Sequence, residues 1–384
     1  MERRNFIKTA GGLVTLAPLA AFRQEDTATG ALKSGVRNEN YRSSVVVREN
    51  KIYVETATLS AIISDGFITS LKKSNSGEEY IREFNTGNYS ALDLIYINDD
   101  DVVQFNEKNF TKLRLHQVSD QRAEIIFQCW HGDGVITVYT DDLNGDLIIE
   151  PSAYSSRPGV LACRWNLPGL NPDLFLVAPF FQGIKLKPDD NLVKNTRWTW
   201  PFYWEAGLAI LQSGSGGFFI HNRDTRYRYK ALKVGSADDA YMLGFDTETY
   251  GPVDGNLAAG GLAWRINVFD GDWIVAANRY REWLWSAYNL VRSEEQRKPW
   301  IYDIRLALSW CPGDLAIADA LSKKIAPSKV LIHYPDWRKD KYDQNYPDFI
   351  PGEKGKVFIK KCQQYGFHIM PHFNANDMDP SNPV

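Results

Sequence analysis

The feature that most constrains this chain is the alternation of strand and helix signals in its last eighty or so residues, from Tyr302 to Val384. The run Ile304 to Trp310 reads as a strand. After Pro312-Gly313, Asp314 can cap a helix whose apolar face is Leu315, Ala318, Leu321 and Ile325, and Pro327 ends it. A second strand runs from Lys329 to Tyr334. A second helix spans about Glu353 to Tyr365, with Gly366 at the position where a left-handed backbone favours glycine. A third strand covers Phe367 to Asn374. Strands separated by helices pair in parallel, because a tight hairpin cannot join parallel neighbours. The strands look apolar on both faces, as in a sheet covered on both sides. In a β/α barrel the working groups sit at the C-terminal strand ends, and a whole barrel takes about 250 residues. This segment has room for three strands and two helices, so the expectation is the opening of a barrel.

The preceding stretch, from about Ser43 to Asp270, has a different rhythm. Short runs rich in Val, Ile, Tyr, Phe and Thr recur between turn residues, among them Ile125 to Trp130, Val135 to Thr140 and Phe218 to His221. So many short strands with no helix between them predict a large antiparallel sandwich. Asp141 to Asp146 lacks the spacing and terminal Glu of a calcium loop, so it reads as a hairpin turn. Gly214 to Gly217 has no helix after it, so it reads as a hairpin and not as a phosphate cradle. Between sandwich and barrel, Ala276, Tyr280, Trp283 or Leu284, Ala287 and Val291 follow helical spacing behind Asp272.

The resulting division is an export signal over residues 1–22, a polar spacer over 23–42, a β-supersandwich over 43–271, a linker helix over 272–299 and an incomplete barrel over 300–384. The signal rests on Arg3-Arg4-Asn5-Phe6-Ile7-Lys8 followed by a short apolar run, which is the pattern of twin-arginine export and implies a periplasmic or secreted protein. That run is shorter than the about 20 residues a spanning helix needs, and no later segment could span a membrane. A net charge of -3 gives no basic stripe for nucleic acid. Of the four cysteines, only Cys129 with Cys163 merits consideration as a disulfide, and none forms the close pair of a zinc site.

Aromatic residues make up 13% of the chain and include twelve Trp, a side chain suited both to core packing and to stacking on sugar rings. The densest cluster, Arg197 to Glu205, fits either role, with packing ahead.

Several local motifs carry a family resemblance. Gly66-Phe67-Ile68-Thr69-Ser70-Leu71 with Ser76-Gly77-Glu78-Glu79 resembles the opening hairpin of the galactose-mutarotase-like sandwich, and Gly217 to Asp224 resembles its late strand. Asp272-Trp273, Ala276-Ala277 and Tyr280-Arg281 with Trp283 resemble the linker helix of two-domain sugar hydrolases. Asp336-Trp337, Tyr346-Pro347-Asp348-Phe349 and Gly366 to Met370 resemble the second and third units of their barrels. In this order the motifs resemble the glycoside-hydrolase-like families related to endo-α-N-acetylgalactosaminidases and to a bacterial domain of unknown function with the same plan.

The resemblance implies an exported glycoside hydrolase acting on an oligosaccharide or polysaccharide, without a cofactor and of the retaining type. Such chemistry takes two carboxyl groups. In the resembled families these come from later strands, so no catalytic residue is nominated within the chain. The expected substrate contacts are Trp310 and Trp337 as stacking platforms, Asp336 as a ligand to sugar hydroxyls, and His372, Asn374 and Asp377 as hydrogen-bonding groups; the alternatives are packing under its loop for Trp337, which is put ahead, a turn cap for Asp336 and a barrel-core hydrogen bond for His372. His368 and His372 have the spacing of a helical metal pair, but Pro371 and the strand context argue against a metal. The competing readings are a non-catalytic carbohydrate-binding scaffold built on the sandwich, and a polysaccharide lyase.

Overall fold

The computed structural model describes residues 42–97, 102–105, 110–129, 132–237, 240–249, 252–374 and 377–382. The proposed signal, nearly all of the spacer and Trp130 lie outside the described residues. The chain forms two compact units, divided between Leu290 and Val291.

The first unit is antiparallel β-structure. A four-stranded meander, Ser44–Arg48, Lys51–Glu55, Leu59–Ser64 and Phe67–Lys73, opens it. A ten-stranded sheet has Gly216–Asn222, Trp264–Asp270, Asp146–Ser155 and Gly132–Asp141 as successive neighbours. A six-stranded sheet includes Thr196–Thr199, Lys230–Ala237, Ala240–Glu248, Val160–Leu170 and Leu92–Tyr96 in that order. Alternation drives the packing. Phe127, Ile149, Phe218 and Ile266 of the larger sheet share one buried core with Leu94, Trp165, Leu232 and Phe245 of the smaller one. Asp141 to Asp146 and Gln212 to Gly216 are hairpin turns, as their sequences imply.

Among the residues that alternate with the core set on the six-stranded sheet, Arg164, Arg197, Asp246 and Glu248 form an ionic network. Arg164 grips Asp246 with Nε at 2.5 Å and Nη2 at 3.0 Å, and Arg197 reaches Asp246 at 2.7 Å and Glu248 at 2.8 Å. Gly244 makes this crossing possible, since a Cβ there would lie 2.6 Å from Arg164 Cδ. Burial pushes the Asp93 carboxyl up, opposed by Asn166 and Arg164. The four cysteines, Cys129 and Cys163 among them, are free thiols, so the one disulfide considered from the sequence is not formed.

A helix, Ile274–Ala287, follows the last strand and buries Ala276 and Tyr280 against Val177, Ile210 and Phe219. It ends four residues before the Val291 that the periodicity suggested. Among the described residues no helix is long and apolar enough to cross a membrane.

The second unit is an α/β layer. Its parallel strands Leu306–Leu308, Val330–Tyr334 and His368–Pro371 pair in that order, shorter than the sequence suggested. Helix Leu315–Ser322 starts where the Asp314 side chain accepts the Ala316 N–H at 2.9 Å. Helix Glu353–Tyr365 stops at Gly366, whose φ of 88° lets the Phe367 N–H return to the Cys362 carbonyl at 3.0 Å. Ala318, Phe358 and Cys362 of the helices pack on Val330, Ile332 and Tyr334.

The expectation of two covered faces needs correcting here. The helices cover one face, while Ala307 and Met370 are exposed and Leu331 and His333 half-buried. The outer edges of the first and third strands have no partner strand among the described residues.

Candidate functional site

The C-terminal ends of the three parallel strands bring four rings together. Beyond the ladder pair Leu308–Ile332, the Cys311 N–H bonds to the His333 carbonyl at 2.9 Å. Trp310 is thereby turned out of the ladder. Its backbone takes φ 55° and its ring is 54% exposed. A bulky residue in this region is uncommon, and the conformation costs about 1–3 kcal/mol. One compensating contact is the Trp310 N–H, which donates to His333 Nδ1 at 3.3 Å.

That bond decides the tautomers. Since His333 Nδ1 accepts, neutral His333 carries its proton on Nε2, which donates to His372 Nδ1 at 3.1 Å. Neutral His372 then holds its own proton on Nε2. The Trp310 ring lies 5.5 Å from His333, 5.7 Å from His372 and 5.0 Å from Tyr342, the last edge to face. Tyr342 and His372 are 5.4 Å apart. The third strand is aligned by the His372 N–H, which donates to the Tyr334 carbonyl at 3.1 Å.

Tyr342 belongs to the long loop after the second strand, and Arg338 fastens that loop from inside. Its guanidinium is buried and donates to the carbonyls of Asp348 at 2.8 Å, Lys341 at 2.7 Å and Gln344 at 2.7 Å, and it lies 4.1 Å over the Tyr346 ring. Three backbone acceptors and one ring face suit the fixed fork of arginine.

The six residues nominated from the sequence fare differently. Trp310 and His372 meet in this cluster. Asn374 and Asp377 pair with each other: Asn374 Nδ2 donates to Asp377 Oδ2, and the Asp377 N–H donates to Asn374 Oδ1 at 3.2 Å. Asp377 also lies close enough to Tyr342 to help raise its phenol pKa, behind desolvation, Asp343 and Tyr346. Asp336 is exposed in the turn after the second strand, with no hydrogen-bond or ion-pair partner among the described residues. Its charge acts on Tyr334, which faces the helices and whose phenol is pushed up by burial first and by Asp336 second.

Trp337 takes the packing role and not that of a stacking platform. It is 5% exposed, donates its indole N–H to the His372 carbonyl at 2.7 Å and lies against Phe349 and Phe373. Its faces are used inside the fold, so it supports the site from below and is not a stacking platform. His368 sits at the opposite end of the third strand, stacked on Trp300 at 3.9 Å, with Nε2 at 3.2 Å from the Ser328 carbonyl. Four residues in a strand separate the two histidines by about 13 Å, which rules out a shared ion for that pair.

Sequence reasoning did not single out His333, Tyr342 or Arg338. His333 could have been found as a polar residue near the C-terminal end of a parallel strand. The other two carry no local signal, because their roles depend on how the loop folds back.

A family described as a domain of unknown function (DUF6259) matches residues 262–383. No curated protein matches the chain. Among solved structures, alpha-N-acetylgalactosaminidase NagBb from Bifidobacterium bifidum in its Gal-NHAc-DNJ complex aligns with a TM-score of 0.56 at 13% identity, covering 88% of this chain and 60% of that one. The same protein with GalNAc gives 0.56 at 12% identity, covering 88% and 61%. Over the aligned part the chain shares the fold of NagBb. A galactose mutarotase-like protein from Lactobacillus casei ATCC 334 aligns at 0.37 and 13% identity, over 57% of this chain and 100% of that one, too loosely to argue from. The chain spans about three-fifths of the length of NagBb.

Proposed function

We propose that this chain belongs to an exported carbohydrate-active protein of glycoside-hydrolase type, and that its second unit is the opening part of a (β/α)8 barrel. The sheet has one helix-covered face, one open face with Ala307 and Met370 exposed, and two outer strand edges unpaired among the described residues. A barrel interior would cover that face and pair those edges. The fold shared with NagBb is consistent with this, and export follows from the twin-arginine pattern at Arg3-Arg4.

The observation that carries the functional reading is Trp310. An exposed indole is held in a costly backbone conformation at a C-terminal strand end, braced by Tyr342 and backed by the His333–His372 pair. Such an arrangement presents an apolar ring face beside the donor at His372 Nε2. A pyranose has matching features, with C–H groups on its face and hydroxyls at its edge. The catalytic carboxyl pair is not assigned to residues of this chain, and the roles given to Trp310 and His372 are recognition.

The test is titration of the full chain with N-acetylgalactosamine and its α-linked disaccharides, followed by calorimetry. Trp310→Ala is expected to weaken binding at least tenfold, about 1.4 kcal/mol, with an unchanged circular dichroism spectrum. Unaltered affinity in that variant overturns the reading. So does the absence of any saccharide binding sensitive to Trp310.

A further inference from the structure

The first unit contains a cavity of about 450 Å³ to which the proposed function assigns no role. It lies between the sandwich and helix Ile274–Ala287, wholly within that unit. Its walls are aromatic. Trp200 comes from the turn after strand Thr196–Thr199, Trp283 from the helix, and Tyr227 from the segment between two strands. Tyr227 is 61% exposed at φ 56° and lies 5.6 Å from Tyr288, which in turn lies 6.2 Å from Trp283.

A buried ion pair also lines the cavity. Lys230 Nζ lies 3.1 Å from Asp224 Oδ2 and 4.0 Å from the Trp200 ring centroid, and both charged side chains are nine-tenths or more buried. Asp224 is well supplied with donors: the backbone N–H groups of Arg226 at 3.1 Å and Arg228 at 2.8 Å, together with Arg228 Nε at 3.5 Å. An ammonium has three N–H groups. The carboxylate takes one and the indole face interacts with the cation, which leaves Lys230 able to donate to an acceptor in the cavity. Glu205, also in the lining, is oriented by the Gln182 N–H, which donates to its Oε2 at 2.9 Å.

These features select a ligand class. Aromatic walls favour flat apolar faces. Lys230 supplies donors and Glu205 acceptors. The lining charges are two carboxylates against one ammonium, so the cavity has no surplus positive charge to draw a phosphate or carboxylate. A volume toward the lower end of the range for ligand pockets admits a small molecule and excludes a long chain. We infer that this cavity is a second carbohydrate site, taking a neutral mono- or disaccharide against the aromatic wall of Trp283, Tyr288 and Tyr227 with its hydroxyls on Lys230 and Glu205. The lining belongs wholly to the first unit and Trp310 to the second, so neither reading depends on the other.

The experiment is isothermal titration of the full chain and of its Trp310→Ala variant with galactose, N-acetylgalactosamine, lactose and maltose, and with adenosine as a flat non-sugar control. Tyr227→Ala and Glu205→Gln, both at exposed positions and so compatible with folding, are titrated in the Trp310→Ala background. The expected result is saturable binding of at least one of these sugars in Trp310→Ala, weakened about tenfold by each second substitution. The inference is overturned if none of the sugars binds Trp310→Ala, if both second substitutions leave the affinity unchanged, or if adenosine binds in preference to every sugar. Loss of binding on Trp310→Ala alone would support the barrel site and count against this one.

Discussion

His221 should make the first unit sensitive to mild acid. The residue lies in strand Gly216–Asn222, buried with its ring stacked on Phe219 at 5.3 Å and edge-on to Tyr280 at 5.7 Å. Its Nδ1 has no hydrogen-bond partner among the described residues. Burial lowers its pKa well below the ordinary 6.5, and the charges of Arg223, Arg265 and Arg279 lower it further, against one hydrogen bond to the Asn222 backbone that raises it. The folded state therefore keeps the imidazole neutral, while the unfolded chain takes up a proton as pH falls through about 6.5. Over that window the unfolded state binds more protons, so stability rises with pH and falls as pH drops, by about 1.4 kcal/mol per pH unit until the folded pKa is reached. Carboxylates with lowered pKa values, such as Asp141 and Asp224, add their own loss at lower pH. The contribution of His221 is thus a difference between two proteins. Urea denaturation of wild type and His221→Leu at about pH 7.5, 6.5, 6.0 and 5.5, values that span the ordinary imidazole pKa of about 6.5, followed by near-ultraviolet circular dichroism, reads it directly. The wild type should lose about 1 kcal/mol more than the variant between the two lowest and the highest pH values. Equal slopes would show that the ring protonates in place, and the burial argument would fail.

Other substitutions test the packing. Tyr334→Phe removes a buried hydroxyl that has no hydrogen-bond partner among the described residues and should leave the second unit as stable or up to about 1 kcal/mol more so; a clear loss in thermal unfolding would refute that. Gly244→Ala places a Cβ 2.6 Å from Arg164 Cδ and should destabilise the sandwich by about 1–3 kcal/mol in urea. Arg164→Met leaves the fully buried Asp246 to Arg197 alone and should cost about 3 kcal/mol, with Arg164→Lys recovering little because it lacks the two-pronged contact.

Local signals sufficed where structure is local. Asp314 before an apolar helical face and Gly366 behind one marked the ends of two helices, because capping involves only neighbours in the chain. Turn residues at Asp141 to Asp146 and Ser213 to Gly217 marked hairpins for the same reason, and the change from period two to strand–helix alternation separated an antiparallel region from an α/β one. Trp310 was recognisable as the last residue of a strand, a position with meaning in any parallel sheet.

What the tertiary structure decided concerns groups whose partners are distant in sequence. Trp310 and Trp337 are both tryptophans at strand ends, yet one is 54% exposed and the other 5%, because the loop held by Arg338 and the ring of Phe373 close over the second. The His333–His372 bond joins residues 39 positions apart, and the pair acquires its tautomers only once the parallel register has set them side by side. The cavity beside Lys230 likewise needs the helix at Trp283 to fold back on strands that precede it by dozens of residues. Composition and spacing therefore determined the kinds of element and the supply of aromatic and carboxylate side chains. Which of those side chains face solvent, which pair and which fill the core followed from long-range packing, where burial and hydrogen-bond satisfaction are settled together.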